Sequence, residues 1–493
     1  MTALRPDPAP LRCALCIVGA GLSGLNALFA AAQYLPRGAR VVLVDRRGAP
    51  GGMWADCYDF VRLHQPHRMF TVGDLPWRPN RPGGYLATGQ EVRGHLADCL
   101  DRLRRGVEVI DRFGHEYLSH SETETQEGPQ VRVSLRRVGG GAIERIEAER
   151  LIVAAGWDIP KARPLEVSSR RVRSVTPETL AGAVAETDPA TPVVIVGGGK
   201  TGMDTAHWLI TRDPGRKITL VNGTGTTFAS RDLLFPTGAR RWLGGVMVSA
   251  LSADVTRRFD GRNAGAVFDH FQRAYGIDPV GKAGQYFFSM LSEAEAGTIA
   301  RGLGTVIRGH LADVADSGTG AEMVLRDGAR HPVPPGSLLV NCTGYLLRHD
   351  RPYAPYLSPG GRVLTVTSRS SVYFLSSTAA YFLTHMLYLG RLAALPLYEL
   401  DVERLYRIDR KLFFATCLTH AFHNMLVVME SAPLSVFARC GLDLNRWYPL
   451  PRRLAALARL KASQAGHRTH CRAALDRVRA DHGIRCGPLP AAT

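Results

Sequence analysis

The chain has 493 residues, 45% of them hydrophobic and 21% charged. That is enough to fill roughly three folding units and too apolar for wholesale disorder. Nine cysteines, mostly far apart, exclude a small disulfide-stapled secreted scaffold. The formal charge of +17 comes from 61 Lys+Arg against 44 Asp+Glu. Such a surface attracts phosphate-bearing ligands, anionic membranes or nucleic acid, but the arginines are scattered, so no nucleic-acid partner is expected.

Residues 1–11 carry Arg5, Asp7 and three prolines but no apolar stretch of signal-peptide length, so a cytoplasmic protein is expected. Cys16-Ile17-Val18 reads as the end of a buried strand, Gly19-Ala20-Gly21-Leu22-Ser23-Gly24 as a turn, and Leu25 to Tyr34 as a helix. Val41 to Val44 is a second strand, closing at Asp45, 21 residues after Gly24. A lone G-x-G-x-x-G means little; between a strand and a helix, with an acid ending the next strand, it marks a dinucleotide site. Gly19 allows the tight turn, Gly21 admits a pyrophosphate to the backbone, and Gly24 lets helix and strand pack closely. The helix N-terminus faces the phosphates. Asp45 accepts from a ribose, each such bond contributing about 1.5–3 kcal/mol.

The pattern recurs. Val193 to Val196 leads into Gly197-Gly198-Gly199-Lys200-Thr201-Gly202, then a helix over Met203 to Ile210 and a strand over Ile218 to Val221. Asn222 stands where the first unit has its acid. A carboxylate there would repel a 2′-phosphate, so its absence favours NADPH, with Lys200 and Arg231 as candidate phosphate partners. Two dinucleotide folds in one chain point to one flavin and one nicotinamide, FAD and NADPH, held face to face for hydride transfer.

Leu151 to Gly156 and Leu338 to Tyr345 are further buried strands ending in small-residue turns. Thr224 to Arg308 is expected to be helical and loop-rich. Ser370 to Gly390, the longest uncharged run, contains Ser376, Thr384 and His385, which are costly in lipid; it reads as core, and no stable membrane insertion is expected. Leu397 to Arg479 is mostly helical, interrupted at Pro449-Leu450-Pro451.

Three other features invite a function and fit a plainer role. Cys13 and Cys16 read as buried small residues of the first strand rather than a redox pair. His420 and His423 have no third ligand at a useful spacing, so no metal site is expected. Arg452 to Lys461, basic with Leu454, Leu457 and Leu460 interleaved, fits packing on the domain better than a membrane surface.

On these motifs the chain resembles the two-dinucleotide-binding flavoproteins and, within them, the single-component flavin-dependent monooxygenases. Gly51-Gly52-Met53-Trp54 resembles the family's G-G-x-W turn beside the flavin, with Gly52 and Trp54 as cofactor residues. Leu63 to Phe70 and Asp74 to Trp77 resemble the segment passing the isoalloxazine ring, and Thr343-Gly344-Tyr345 the T-G-Y turn closing the nicotinamide domain. The F-x-G-x-x-x-H fingerprint is missing: Arg173 to Thr179 lacks its phenylalanine, glycine and histidine. Where the N-hydroxylases have D-x-x-x-[L/F]-A-T-G-Y, Ser337, Asn341 and Cys342 depart from the pattern.

The resemblance implies an α/β fold of two Rossmann-like domains, the nicotinamide domain inserted in the FAD domain. The expected division is 1–160 and 336–396 for FAD, 161–335 for NADPH, and a helical C-terminal region over 397–493. It implies oxygenation of a small molecule, an amine or sulfide, by dioxygen through a C4a-hydroperoxyflavin, with His64 and Gln65 as the polar groups nearest the reaction. The alternatives are a flavin oxidoreductase without oxygen insertion and a non-catalytic flavin- or nucleotide-binding protein. Neither the individual substrate nor the oligomeric state is legible.

Overall fold

The computed structural model describes residues 10–126, 128–157, 161–281, 283–344 and 352–489. β1 (Leu11–Val18), α1 (Leu22–Ala31) and β2 (Arg40–Asp45) open the chain. α2 (Gly89–Leu103) and β3 (Glu108–Phe113) follow. Next come three long strands, β4 (His115–Thr125), β5 (Gly128–Arg137) and β6 (Ile143–Val153). The sheet order is β3-β2-β1-β6-β5-β4. β1 pairs β2 and β6 in parallel, whereas β5 runs antiparallel to the first half of β6. The second half of β6 takes Val363–Thr365 as a further parallel partner.

Burial on both faces explains why residues 15–18 of β1 and 41–44 of β2 are an unbroken apolar run. Leu15, Ile17, Val41 and Leu43 face a core shared with α1 and the helix Ser376–Tyr388. Cys16, Val18, Val42 and Val44 face the opposite core, roofed by Val131, Val133 and Leu135 of β5. Burying each such side chain contributes about 1.5–3 kcal/mol. Cys13 and Cys16 are buried there as free thiols.

The second unit repeats this plan. β7 (Arg173–Val175), α3 (Pro177–Ala185), β8 (Val193–Val196), α4 (Lys200–Arg212) and β9 (Ile218–Val221) form a parallel sheet with Thr305–Ile307 and Leu338–Asn341. Val193 and Ile195 face the helices. Val194 and Val196 face Val314, Met323 and Val333 of an antiparallel three-stranded sheet. Each unit is therefore a parallel sheet with helices on one face and an antiparallel layer on the other. The strand Leu338–Asn341 corrects one expected boundary. It pairs with β7 and β8, so residues 336–344 complete the second unit instead of reopening the first.

Thr224 to Arg308 is more ordered than its composition suggests. Thr226–Ser230 pairs with Gly276–Ile277 and with Gln285–Leu291. The helices Val248–Arg258 and Ala264–Tyr275 share a core with the C-terminal region through Phe268, Phe271, Phe413, Phe414 and Val478. The helix Arg410–Ser431 is long and apolar enough to cross a membrane, yet 78% of its apolar window is buried in this fold. Pro449 and Pro451 flank the start of the helix Leu450–His482, where a missing N–H costs nothing.

Candidate functional site

The two glycine loops are built alike. Gly19 has φ +106°, and a Cβ on it would collide with the carbonyl oxygen of Ala154, just past β6. Gly197 has φ +116°, and a Cβ there would collide with the carbonyl of Cys342, just past Leu338–Asn341. In each loop the third glycine, Gly24 or Gly202, packs its α-carbon against the carbonyl of the first. Only glycine fits this backbone at both contacts.

Gly21 and Gly199 are the N-caps of α1 and α4, and neither helix has a side-chain cap. The first-turn N–H groups stay available to an anion. The helix Ser376–Tyr388 also lacks a side-chain cap, and Ser376 Oγ lies 2.9 Å from Ser23 Oγ in α1. Two helix N-termini thus converge on the first loop.

Asp45 is buried. Its Oδ2 accepts from Ala20 N at 2.8 Å and its Oδ1 from Arg47 N at 2.8 Å. One bond to each oxygen fixes the carboxylate and leaves lone pairs for a ribose. Gly52, at φ +57°, would bring a Cβ to 2.9 Å of Gly21 Cα, so the Gly51-Gly52 turn lies against the first loop. Trp54 packs edge-on to Phe70 at 5.5 Å and ties that turn to the Leu63 to Phe70 segment.

In the second unit Asn222 takes the place of Asp45. It is buried, its Oδ1 is without a partner, and it lies against Gly198. Thr201 lies in the first turn of α4. Asn341 and Thr343 make a local clamp: Asn341 Oδ1 accepts from Thr343 N at 3.1 Å and Thr343 Oγ1 at 2.7 Å. The departure at Asn341 therefore holds the turn that Gly344 continues. Tyr345 lies outside the described residues. Cys342 is buried beside Thr205, and burial pushes its thiol up to about 12, so it is an inert packing residue.

The two units meet along Tyr58 to Gln65. Tyr58 Oη donates to Asp204 Oδ2 at 2.9 Å. Phe60 stacks on Trp208 at 4.7 Å. Arg231 Nη1 donates to the carbonyl of His64 at 3.3 Å while its guanidinium pairs with Glu295. Lys200 pairs with Asp204. A cavity of about 470 Å³ opens between the units, lined by Phe60, Leu63, Lys200, Asp204, Trp208 and Glu295.

His64 stands at this junction. Loss of water, then the charges of Lys200 and Arg231, push its pKa down to about 3, so the imidazole is neutral near pH 7. Gln65 Oε1 is buried with no hydrogen-bond partner, an orphaned acceptor of the kind that marks a ligand position. His67, two residues on, bonds through Nδ1 to the carbonyl of Tyr85 at 3.1 Å and packs edge-on against Trp77.

Lys200 and Arg231 are both engaged in the cleft between units, not at the end of β9. Beside Asn222 and Gly223 run the backbone of 307–309 and the ring of His310: Gly223 N donates to the carbonyl of Gly309 at 3.0 Å, Thr224 Oγ1 is 3.4 Å from His310 Nε2, and the Arg308 guanidinium lies by Gly281. Sequence spacing does not reveal this neighbour, because the strand Thr305–Ile307 is about eighty residues from β9 in sequence but paired with it in the sheet.

His420 and His423 are buried in the helix Arg410–Ser431. His420 Nε2 lies 2.7 Å from the carbonyl of Tyr398. Among the described residues no group of three His, Cys, Asp or Glu side chains is placed to hold a metal.

Residues 14–233 match the family described as pyridine nucleotide-disulphide oxidoreductase. An uncharacterized protein of Mycobacterium tuberculosis is 27% identical over 347 residues, which are 66% of this chain and 59% of that protein. The chain thus spans about 59% of the length of that mycobacterial relative. The mitochondrial dihydrolipoyl dehydrogenase of Schizosaccharomyces pombe is 24% identical over 195 residues, 38% of this chain and 36% of that protein. Among solved structures, an open cyclohexanone monooxygenase superposes with TM-score 0.47 at 14% identity, covering 93% of this chain and 99% of that one. A flavin-containing monooxygenase of Stenotrophomonas maltophilia gives 0.44 at 16%, covering 77% and 99%. The stretch similar to that family, residues 14–233, contains both glycine loops, Gly19 to Gly24 and Gly197 to Gly202.

Proposed function

We propose that this protein is a flavin-dependent monooxygenase of the cytoplasm. It binds FAD at the first cradle and NADPH at the second, and places one atom of dioxygen on a soft nucleophile, an amine or a sulfide. NADPH, a proton, dioxygen and substrate become NADP⁺, water and the oxygenated product. The observation that carries the reading is the cleft where Tyr58 to Gln65 of the first unit meets α4 and Arg231 of the second. It sets the segment that follows the first cradle against the first turn of α4, the helix of the second cradle, and hydride transfer requires the two bound groups to face each other.

The protein's residues fit these groups. The glycine loops and uncapped helices receive the phosphates, and Asp45 the ribose of FAD. Bound FAD supplies the redox chemistry. His64, neutral, and Gln65, with its unpartnered oxygen, orient the reacting end and narrow the access of water. His310, beside Gly223, and Arg308, by Gly281, would serve a 2′-phosphate.

The cysteines count against a disulfide reductase. All nine are free, eight of them buried. The exception, Cys57, has its thiol pushed up to about 11, chiefly by loss of water. A reductase needs a thiolate pair at the flavin.

The test uses labelled dioxygen with NADPH and a panel of amines and sulfides. Label in the product is expected. Bleaching of the flavin by NADPH without label in any product would favour the oxidoreductase without oxygen insertion. No bleaching would leave a binding protein.

A further inference from the structure

Three of the acid-free stretches of the chain carry arginines that the fold gathers together. Residues 75–90 carry Arg78 and Arg81; residues 233–253 carry Arg240 and Arg241; residues 444–475 carry Arg446, Arg452, Arg453, Arg459, Lys461, Arg468 and Arg472. They are far apart in sequence, and the fold brings them to one face. Arg452 Nη1 donates to the carbonyls of Arg241 at 2.8 Å and Gly244 at 2.6 Å. Arg241 Nε donates to the carbonyl of Trp447 at 3.0 Å. Trp447 Nε1 reaches the carbonyl of Pro236 at 2.7 Å, and its ring lies 3.5 Å from where Gly83 would carry a Cβ. The loop around Arg78 and Arg81, the turn at 238–245 and the first turns of the helix Leu450–His482 are therefore one continuous surface.

That surface is also apolar at its crest. Leu243 is 93% exposed, Trp242 57%, Leu450 57% and Leu454 55%. Single exposed apolar side chains are ordinary, but a cluster of four is a contact surface. Around it Arg78, Arg240, Arg459 and Lys461 are exposed and have no acidic partner among the described residues. Arg81 is shared with Glu91, and Arg468 with Glu430, at the margins.

We propose that this face docks on an anionic lipid surface. Trp242 and the three leucines would enter the boundary between headgroups and acyl chains, and the arginines and Lys461 would meet the lipid phosphates. The pairing of protruding Trp and Leu with an acid-free basic rim is the chemistry of a peripheral membrane contact. A second copy of the chain would set two like-charged faces together. A nucleic acid would meet the cations but give the aliphatic crest nothing to bury in. The docking is peripheral: the helix Arg410–Ser431 stays in the core. It also gives Arg452 to Lys461 a role other than the packing that its spacing suggested.

The experiment is co-sedimentation of the holoprotein with vesicles of phosphatidylcholine alone and of an equal mixture with phosphatidylglycerol, at low and high salt. Binding to the mixed vesicles is expected to exceed binding to phosphatidylcholine about tenfold and to fall as salt rises. Two double variants, Trp242→Ser with Leu243→Ser and Arg459→Glu with Lys461→Glu, should each lose most of it while keeping the wild-type thermal transition. Equal binding to both vesicles, or none, overturns the proposal without further need of variants. So does unchanged binding by both variants, tighter binding to a DNA duplex than to mixed vesicles, or a dimer that Leu243→Ser dissolves.

Discussion

A glycine in these loops is a statement about space. Gly21 faces Gly52 across 3.2 Å from a would-be Cβ to Gly52 Cα, and it caps α1. Gly21→Val would fill the place of the pyrophosphate and press on the Gly51-Gly52 turn. The purified variant is expected to be colourless and to take up no added FAD, whereas the wild type is yellow; absorbance per chain measures this. His64 and Gln65 call for a finer readout. Each is expected to order the reacting end of the site, and removal of one buried polar contact costs about 1–3 kcal/mol. That is roughly a five- to 150-fold change in a rate. His64→Ala and Gln65→Ala should release correspondingly more hydrogen peroxide per NADPH, with the flavin reduction rate much less changed. Because His64 is neutral down to about pH 3, the effect should be the same at pH 6 and pH 8. Wild-type coupling in both variants would remove the Leu63 to Phe70 segment from the reaction centre.

Elements decide which cations lie near which part of the second cradle. α4 turns Lys200 into the cleft, where it pairs with Asp204, which also accepts from Tyr58. The strand Thr305–Ile307, paired with β9, carries the chain to Arg308 and His310 beside Asn222. The expected outcomes differ. Arg308→Ala should lower the preference for NADPH over NADH in flavin reduction at subsaturating cofactor. Lys200→Ala should weaken both nucleotides alike, since it faces the cleft common to both. A selectivity loss in the Lys200 variant and none in the Arg308 variant would reverse the assignment. Tyr58→Phe removes one bond between the units, and the stacked Phe60 and Trp208 remain, so the variant should fold normally.

At the scale of the molecule, burial sets the response to acid. His95, His385 and His420 are held down at about 4, and His64 and His423 at about 3, in each case first by loss of water. In the unfolded chain they titrate near 6.5. Between about pH 6.5 and pH 4 the unfolded state therefore binds more protons than the folded state, and stability rises with pH across that window. Their contribution is present above pH 6.5 and is lost as pH falls toward the folded values. The urea midpoint should drop steadily from pH 7 to pH 5, before carboxylates titrate. Replacing His420 by Gln, which keeps a donor to the carbonyl of Tyr398, should flatten that slope.

The sequence by itself determined the two cradles, because their requirements are local. Glycine spacing, the preceding apolar strand, the following helix and Asp45 all lie within about thirty residues. β1, β2, β8 and β9 could be read from continuous apolar runs, since strands buried on both faces leave no polar positions. Only tertiary structure decided what lay between distant segments. Ala154 and Cys342 press on the two loops, the strand Leu338–Asn341 belongs to the second sheet, and Arg308 reaches the end of β9. Tyr58 to Gln65 meets α4 across roughly 140 residues of chain. The helical region from Thr224 to Arg308 had no legible partner because its apolar face is completed by helices more than a hundred residues later. A pairing between remote surfaces is set by packing and loop closure, and no window of sequence contains both sides of it.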